Sequence, residues 1–510
     1  MTVLSPTRAN EFNFAKRWLA LFILAHIILW TLGPLLFRYS LTHDALEGIA
    51  WGSQWQWGYN KHPFLAAWLS YGAATLAYTA SWPSYLLAQL AVALTFWAVW
   101  RLALQFVLPN QALLATLSLE GVLFYNLNSS NFTPDTLQSP LWALLTFCFY
   151  RGLTTQAIGS WLWVGALTAL CVVTKYQAVL LLLPMLAVIL MNAKMRLSFK
   201  MSGLYLAVLV CLVLISPHLI WLYQHDFITV KYALTTPAQY SKAPQAWPHL
   251  FYPLNFISNS VIFTVFVAVL LWPIYRGPRK VSSLTELQWQ FLLTMGLGPW
   301  ILSLVLCVIT GNHFPARWAT PYFFLVGIIV LSLVNPTLSA KSLKKFLITV
   351  AAFMVLLWSA QFGRLQYLNN HENRGDSALP NILLAQQITA LWHEHYHTRL
   401  AYIAGSRYLV SALVGYSPDK PTPYFSFNAK ESPWISERNV QKKGTIVIID
   451  RDNQYAWDKE SSDSYAVEAA LKQHFPGLSP PMRLEVPRMS KQGRPIVIWV
   501  TFIPPLMVAK

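Results

Sequence analysis

From Trp18 to about Ala360 the chain repeats one pattern, a long apolar run followed by a short polar joint, and then the pattern stops. A helix needs roughly 17–25 apolar residues to cross a bilayer. Eleven runs are candidates, the shorter ones with soft boundaries: about 18–37, 84–104, 111–125, 137–153, 160–174, 176–193, 201–222, 256–275, 290–310, 318–334 and 345–360. Past Gln361 the apolar runs shrink to strand length. RLAYIAG (399–405), GTIVIID (444–450) and RPIVIWV (494–500) predict short buried strands, and ILLAQQITALWHEHY (382–396) and YAVEAALKQHF (465–475) predict helices. Strands alternating with helices predict a small α/β domain over 361–510, joined by proline-rich loops at Ser417–Pro423 and Pro476–Pro481. The predicted architecture is therefore an α-helical multi-span membrane protein, residues 1–360 with about eleven transmembrane helices, followed by a small soluble C-terminal α/β domain.

Composition agrees: 55% of the 510 residues are hydrophobic and only 11% are charged, with a mean hydropathy of +0.42. The charges that remain set the topology. With the N-terminus cytoplasmic, one side of the membrane collects Arg8, Lys16, Arg17, Arg101, Arg151, Lys194, Arg196, Lys200, Arg276, Arg279, Lys280, Lys341, Lys344 and Lys345. The other keeps Arg38, Lys61, Lys175, Lys231, Lys242 and Arg317. That asymmetry follows the positive-inside rule, and an odd number of spans places the C-terminal domain outside. The net charge of +17 is then mostly loop charge, and no nucleic-acid motif accompanies it, so no nucleic-acid partner is expected. Cys148, Cys171, Cys211 and Cys307 all lie in apolar runs, which argues against a disulfide framework or a cysteine zinc site. Lys16-Arg17 precedes a long apolar stretch with no small-x-small cleavage site, so the first run reads as an uncleaved helix.

Acids are scarce enough to name. Of the 20 acidic residues, 13 lie in 362–510, and the rest are Glu11, Asp44, Glu47, Glu120, Asp135, Asp226 and Glu286. Four of these, Asp44, Glu47, Asp135 and Asp226, fall on the outer side, where loops 38–83, 125–137 and 223–255 stand out by length or polarity. The first of them reads RYSLTHDALEGIAWGSQWQWGYNKHPFLAAWL. Asp44 and Glu47, three residues apart, share one face of a helical turn, where a carboxylate can act as general base or one acid can stay protonated beside an ionised partner. The competing reading is a solvated loop with a helix cap. Lys61 and His62 follow among aromatic residues of interfacial character, Trp51, Trp55, Trp57 and Tyr59, and a phosphate carried on a lipid is their natural partner. The alternative is a snorkelling lysine and a capping histidine. HPFLAAWLSYGAATLAYTA, framed by Pro63 and Trp82-Pro83, predicts a helix lying in or near the interface. Glu120 sits inside an apolar run, either functional or paired with a buried basic or hydroxyl group. The histidines of HEHYH (393–397) cannot all share one helix face, so they read as polar side chains facing solvent in the tail and not as a metal site.

WQWGYNKHPFLAAWL with the preceding HDALEG closely resembles the first external loop of bacterial glycosyltransferase family 39, the branch related to protein mannosyltransferases and to the transferases that decorate lipid A. NFTPDTLQSPLWALLTFCFYRGL (131–153), TKYQAVLLLLP (174–184), SPHLIWLYQHDFITVKYAL (216–234) and, in the tail, SPWISERNVQKKGTIVI (432–448) match in order. The resemblance implies a type C glycosyltransferase of the bacterial inner membrane that passes one sugar from a polyprenyl-phosphate donor to an acceptor at the outer, periplasmic face. It places the reaction centre at Asp44, with Glu47 as its neighbour, and puts Asp135 of the second external loop at the acceptor or sugar. His218, His225, Lys231 and Arg317, each predicted outside or just inside an external helix end, join Lys61 and His62 as candidates for donor phosphate. In the aminoarabinose branch an acid precedes the basic residue of the first-loop motif; here the order is Asn60-Lys61-His62-Pro63, so no metal site is implied.

The mechanism expected from these residues is direct displacement. Asp44 takes the proton of an acceptor hydroxyl as that oxygen attacks the anomeric carbon, and phosphate leaves as an anion held by cations such as Lys61 and His62. The acceptor is a lipid such as lipid A, a glycan or a protein. A transporter or flippase of the lipid-linked sugar is the rival, but transport sites favour the bilayer midplane and paired repeats, and no repeat is present. A receptor with a ligand-binding tail would leave the first loop unexplained.

Overall fold

A computed structural model describes residues 6–241, 247–275, 284–371, 379–450, 471, 475, 478–488 and 495–506. The chain divides into two compact units. The first comprises Met1–Thr31, Lys61–Pro63 and Ala88–Ser359, the second Leu32–Asn60, Phe64–Leu87 and Ala360–Lys510.

Among the described residues, six helices are long and apolar enough to cross a membrane: Arg8–Phe37, Trp82–Ala103, Ser202–Gln224, Pro248–Tyr275, Glu286–Thr310 and Ala340–Asn369. Tyr176–Met191 and Ala193–Lys200 make a seventh if taken as one span, bent by 103°. The protein is thus a multi-pass membrane protein. Burial ranks the spans: 67% of the apolar window of Trp82–Ala103 is buried but only 17% of that of Ser202–Gln224. Tyr205, Val208, Leu209, Leu212 and Val213 of the latter are exposed, a face suited to lipid and not to water.

Several predicted spans take other forms. The run 111–125 forms a helix only over Pro109–Leu117 and then breaks into 3-10 turns at Ser118–Gly121 and Leu123–Tyr125. The cause is polar: Glu120 is fully buried, its Oε2 lies 2.9 Å from His26 Nδ1, and Asn126 Nδ2 donates to the Glu120 backbone carbonyl at 2.7 Å. The pairing of Glu120 with a buried basic group is therefore the arrangement present. The runs at 160–174 and 318–334 form the shorter apolar helices Ile158–Val172 and Phe323–Val334. Helix ends follow the local sequence. Thr285 and Gln288 form a capping box at the start of Glu286–Thr310, and Gly311, at φ +60°, closes it.

The first and second units each use small residues to bring backbones together. A Cβ on Gly165 would lie 2.3 Å from the Ala207 carbonyl oxygen, so Ile158–Val172 and Ser202–Gln224 pack closely only because that side chain is absent. A Cβ on Gly52 would lie 2.0 Å from the Ala67 carbonyl, which couples the first-loop helices His43–Gly52 and Leu65–Ala74 in the second unit. The interfacial helix expected over 62–80 thus ends early, at Ala74.

The tail of the second unit holds a five-stranded sheet: β1 Tyr402–Gly405, β2 Thr422–Phe425, β3 Thr445–Ile449, β4 Met482–Val486 and β5 Ile496–Ile503, in the order β2-β1-β3-β5-β4. β1 runs parallel to β2 and β3, with Ile403 opposite Ile446, while β5 is antiparallel to both β3 and β4. The three predicted strands are β1, β3 and β5, and the predicted helix at 382–396 is Asn381–Tyr396. β2 and β4 went unread because each is an edge strand carrying what edges carry, Pro423 in one and Arg483 and Glu485 in the other. The predicted helix 465–475 lies largely outside the described residues, although Leu471 and Phe475 reach the core beside Val447 and Ile503.

Candidate functional site

Asp44 stands in the first turn of the helix His43–Gly52, where the positive end of the helix dipole favours a carboxylate. It is half-buried, whereas Glu47, one turn on, is 1% exposed. His43 Nε2 lies 3.4 Å from Glu47 Oε1, Arg407 Nε lies 3.8 Å from the same oxygen, and Arg407 Nη2 donates to Glu431 Oε2 at 2.8 Å. The ligand atoms of His43, Asp44 and Glu47 fall within 4.8 Å of one another, a donor set of a size that could hold a cation. Glu47 thus faces the His43 ring and the Arg407 guanidinium, which it shares with Glu431. The three-residue spacing of the two carboxylates thus gathers them on one helix face, with His43 added.

Aromatic side chains follow the carboxylates along the loop. Trp51 stacks on Tyr59 with centroids 5.8 Å apart, and Tyr59 meets Trp434 at 6.2 Å. Both Trp51 and Tyr59 are buried, and burial pushes the Tyr59 phenol up from its ordinary value. Trp55 and Trp57 are exposed, each against Trp68. Of the four expected interfacial aromatics, two therefore serve the core of the second unit and two face outward.

Lys61 and His62 are half-buried and belong to the first unit. In that unit Asp135 opens the helix Pro134–Thr155, behind Thr133, whose side chain accepts from the Thr136 amide. Asp135 is not solitary: Lys175 Nζ reaches its Oδ1 at 2.5 Å, both side chains being 14% exposed, and the same ammonium lies 5.3 Å from the centre of the Trp318 ring. Gln138 and Gln177 fix the lysine's segment, Gln138 by donating to the Lys175 carbonyl at 3.1 Å and Gln177 by donating to the Trp318 carbonyl and to Tyr322 Oη. His218 is buried and pairs its Nε2 with Tyr176 Oη at 2.7 Å. His225 stacks on Trp221 at 4.1 Å, its Nδ1 2.7 Å from the Trp221 carbonyl. Lys231 and Arg317 are exposed, on the helix Ile228–Tyr240 and the 3-10 turn Ala316–Ala319. Of the proposed phosphate cations, two are accessible and His218 is committed to a buried hydrogen bond.

Sequence reasoning did not single out Lys175, His43 or Arg407. Lys175 had a signal: a lysine wedged between two apolar runs and followed by Tyr-Gln. Arg407 had a weaker one, its place just after a predicted strand. The histidines of HEHYH do separate jobs. His393 pairs with Asp419 at 2.7 Å, His395 stacks on Phe502 at 4.8 Å, and His397, at φ +51°, ends its helix.

The backbone compares over nearly its full length with crystal structures of ArnT from Cupriavidus metallidurans. The form bound to undecaprenyl phosphate superposes with a TM-score of 0.60 at 13% identity, and the apo form with 0.58 at 14%; each comparison covers 96% of this chain and 98% of the other. This chain has the type C glycosyltransferase fold. Independently, the sequence profile of the dolichyl-phosphate-mannose-protein mannosyltransferase family matches residues 61–221, from Lys61 through Asp135, Lys175 and His218 to Trp221. The type C resemblance drawn from the first-loop, second-loop and PHLIW segments is thus met from two sides. No curated protein matches the chain in sequence.

Proposed function

We propose that the protein is an integral membrane glycosyltransferase that moves a single sugar from a polyprenyl-phosphate donor to an acceptor at the periplasmic face of the bacterial inner membrane. The N-terminus is cytoplasmic and the segment 361–510 forms a periplasmic α/β domain. The observation that carries this reading is the near-complete match to the type C fold, whose ArnT representative binds undecaprenyl phosphate, in a chain that puts a half-buried aspartate at a helix N-terminus in its first external loop. Asp44 is the base. The acceptor oxygen forms a bond to the anomeric carbon, the bond from that carbon to the phosphate oxygen breaks, the hydroxyl proton passes to Asp44, and the polyprenyl phosphate departs with the electron pair. The attack comes from the face opposite the leaving group and inverts the anomeric centre. Lys61 and His62, with Lys231 and Arg317, oppose the charge that builds on phosphate, while His218, engaged with Tyr176, supports that side from within the fold. Glu47 keeps the Asp44 turn in place, and Asp135 meets the sugar or acceptor. Transfer of hexose, pentose or uronic acid to lipid A or another envelope glycan fits this chemistry.

The test is mass spectrometry of envelope lipids and glycans from a deletion strain complemented with wild type or with Asp44→Asn. One sugar-sized mass increment is expected to vanish in the deletion and to return with wild type alone, the variant falling by about 10²–10⁴ in rate, the usual worth of a general base. Equal complementation removes Asp44 as base. No change in any envelope component, together with counterflow of a lipid-linked sugar in proteoliposomes, favours the transporter.

A further inference from the structure

In open α/β sheets, ligands bind outside the carboxyl ends of the parallel strands, at the point where successive connections leave in opposite directions. In this tail that point is the end of β1, the strand between β2 and β3. The residues there meet the first external loop. Arg407, just past β1, faces Glu47; Phe425, the last residue of β2, meets Trp51 edge-on at 6.5 Å. The helix that Arg407 starts, Arg407–Tyr416, continues the contact. The Tyr408 ring lies 4.8 Å from that of His43, Leu46 packs against Gly415, and Tyr416 Oη accepts from the Leu41 amide at 2.7 Å. Asp44 is therefore bracketed: Leu41 is tied on its N-terminal side and Glu47 on its C-terminal side, both to one helix of the tail.

We propose that Arg407 is a positioning residue, which holds the Asp44-bearing helix through Glu47; the inference rests on the reading of Asp44 as base. A carboxylate 1% exposed needs its counter-charge, because a buried charge left alone is strongly destabilising. Arg407 suits the task. It is always charged and its fork reaches two acceptors, with Glu431 Oε2 fixing one arm at 2.8 Å while Nε faces Glu47. The tail domain thereby acts as a clamp on the loop, occupying with part of its own chain the crevice that other α/β sheets offer to a ligand.

The experiment is hydrogen–deuterium exchange on the full-length protein in lipid nanodiscs, for wild type, Arg407→Gln, Arg407→Lys and the double variant Glu47→Gln/Arg407→Gln. In Arg407→Gln, amides of 43–52 are expected to exchange at least about tenfold faster, with 402–405 and 445–449 unchanged. The double variant should be slower than Arg407→Gln alone, because it removes the stranded charge, and Arg407→Lys should recover part of the protection. Unchanged exchange in 43–52, or an equal rise in β1 and β3, overturns the proposal. The same variants in the complemented strain report transfer: Arg407→Gln should lower the envelope increment and Arg407→Lys restore part of it. If wild type itself yields no increment, the transferase reading falls while the exchange data still decide whether Arg407 holds the loop.

Discussion

A single phenol shows how the site is fastened. Tyr416 is buried, accepts from the Leu41 amide and shares a 2.8 Å hydrogen bond with Ser81 Oγ, and burial pushes its pKa up to about 12. The folded protein thus keeps a proton that the unfolded chain, titrating near 10, gives up. Between those values stability falls as pH rises. Tyr416→Phe is expected to remove its part of that fall and to cost about 1–3 kcal/mol at neutral pH, since it strands a buried amide; thermal unfolding across the pH range measures both. At this scale the sequence was informative where chemistry was rare. Asp44 and Glu47 stand out because so few acids precede residue 361. Lys175 and Arg407 did not, because what gives them meaning is an acid far away in the chain, Asp135 for one and Glu47 for the other.

Elements were legible where one physical cause dominates. Long apolar runs made helices at Ser202–Gln224 and Glu286–Thr310, and the buried strands β1, β3 and β5 were visible as apolar runs. They were illegible where polar pairing or an edge overrides the pattern, as at Glu120 with its 3-10 turns and at β2 and β4. Close helix crossings add a constraint that hydropathy cannot express. Gly165→Val would drive a side chain into the Ala207 carbonyl, so it is expected to lower the melting temperature of the purified protein, while Gly159→Ala, in open space on the same helix, leaves it within error.

For the whole molecule, the division of the chain carries a prediction. Residues 32–60 and 64–87 group with 360–510, so the first long loop, apart from Lys61–Pro63, packs with the tail as one unit although 270 or more residues separate them in sequence. A chain ending at residue 360 is expected to insert in the membrane but to expose 38–60 to protease, a site resistant in the intact protein; limited proteolysis with mass-spectrometric mapping reads the difference. Equal resistance in both chains would show that the loop folds without the tail.

The sequence by itself determined the membrane class, the approximate helices, the α/β character of the tail and the scarce acids that make Asp44 conspicuous, because burial in lipid and helical periodicity act over neighbouring residues. Only the tertiary structure decided that Glu47 is buried against Arg407, that Asp135 is held by Lys175, that His218 is spent on Tyr176 and that Glu120 breaks its helix to meet His26. Each of these is a charge or a polar group that must find its partner once water is removed, and that partner lies wherever folding brings a complementary group, at a distance along the chain that no local pattern encodes.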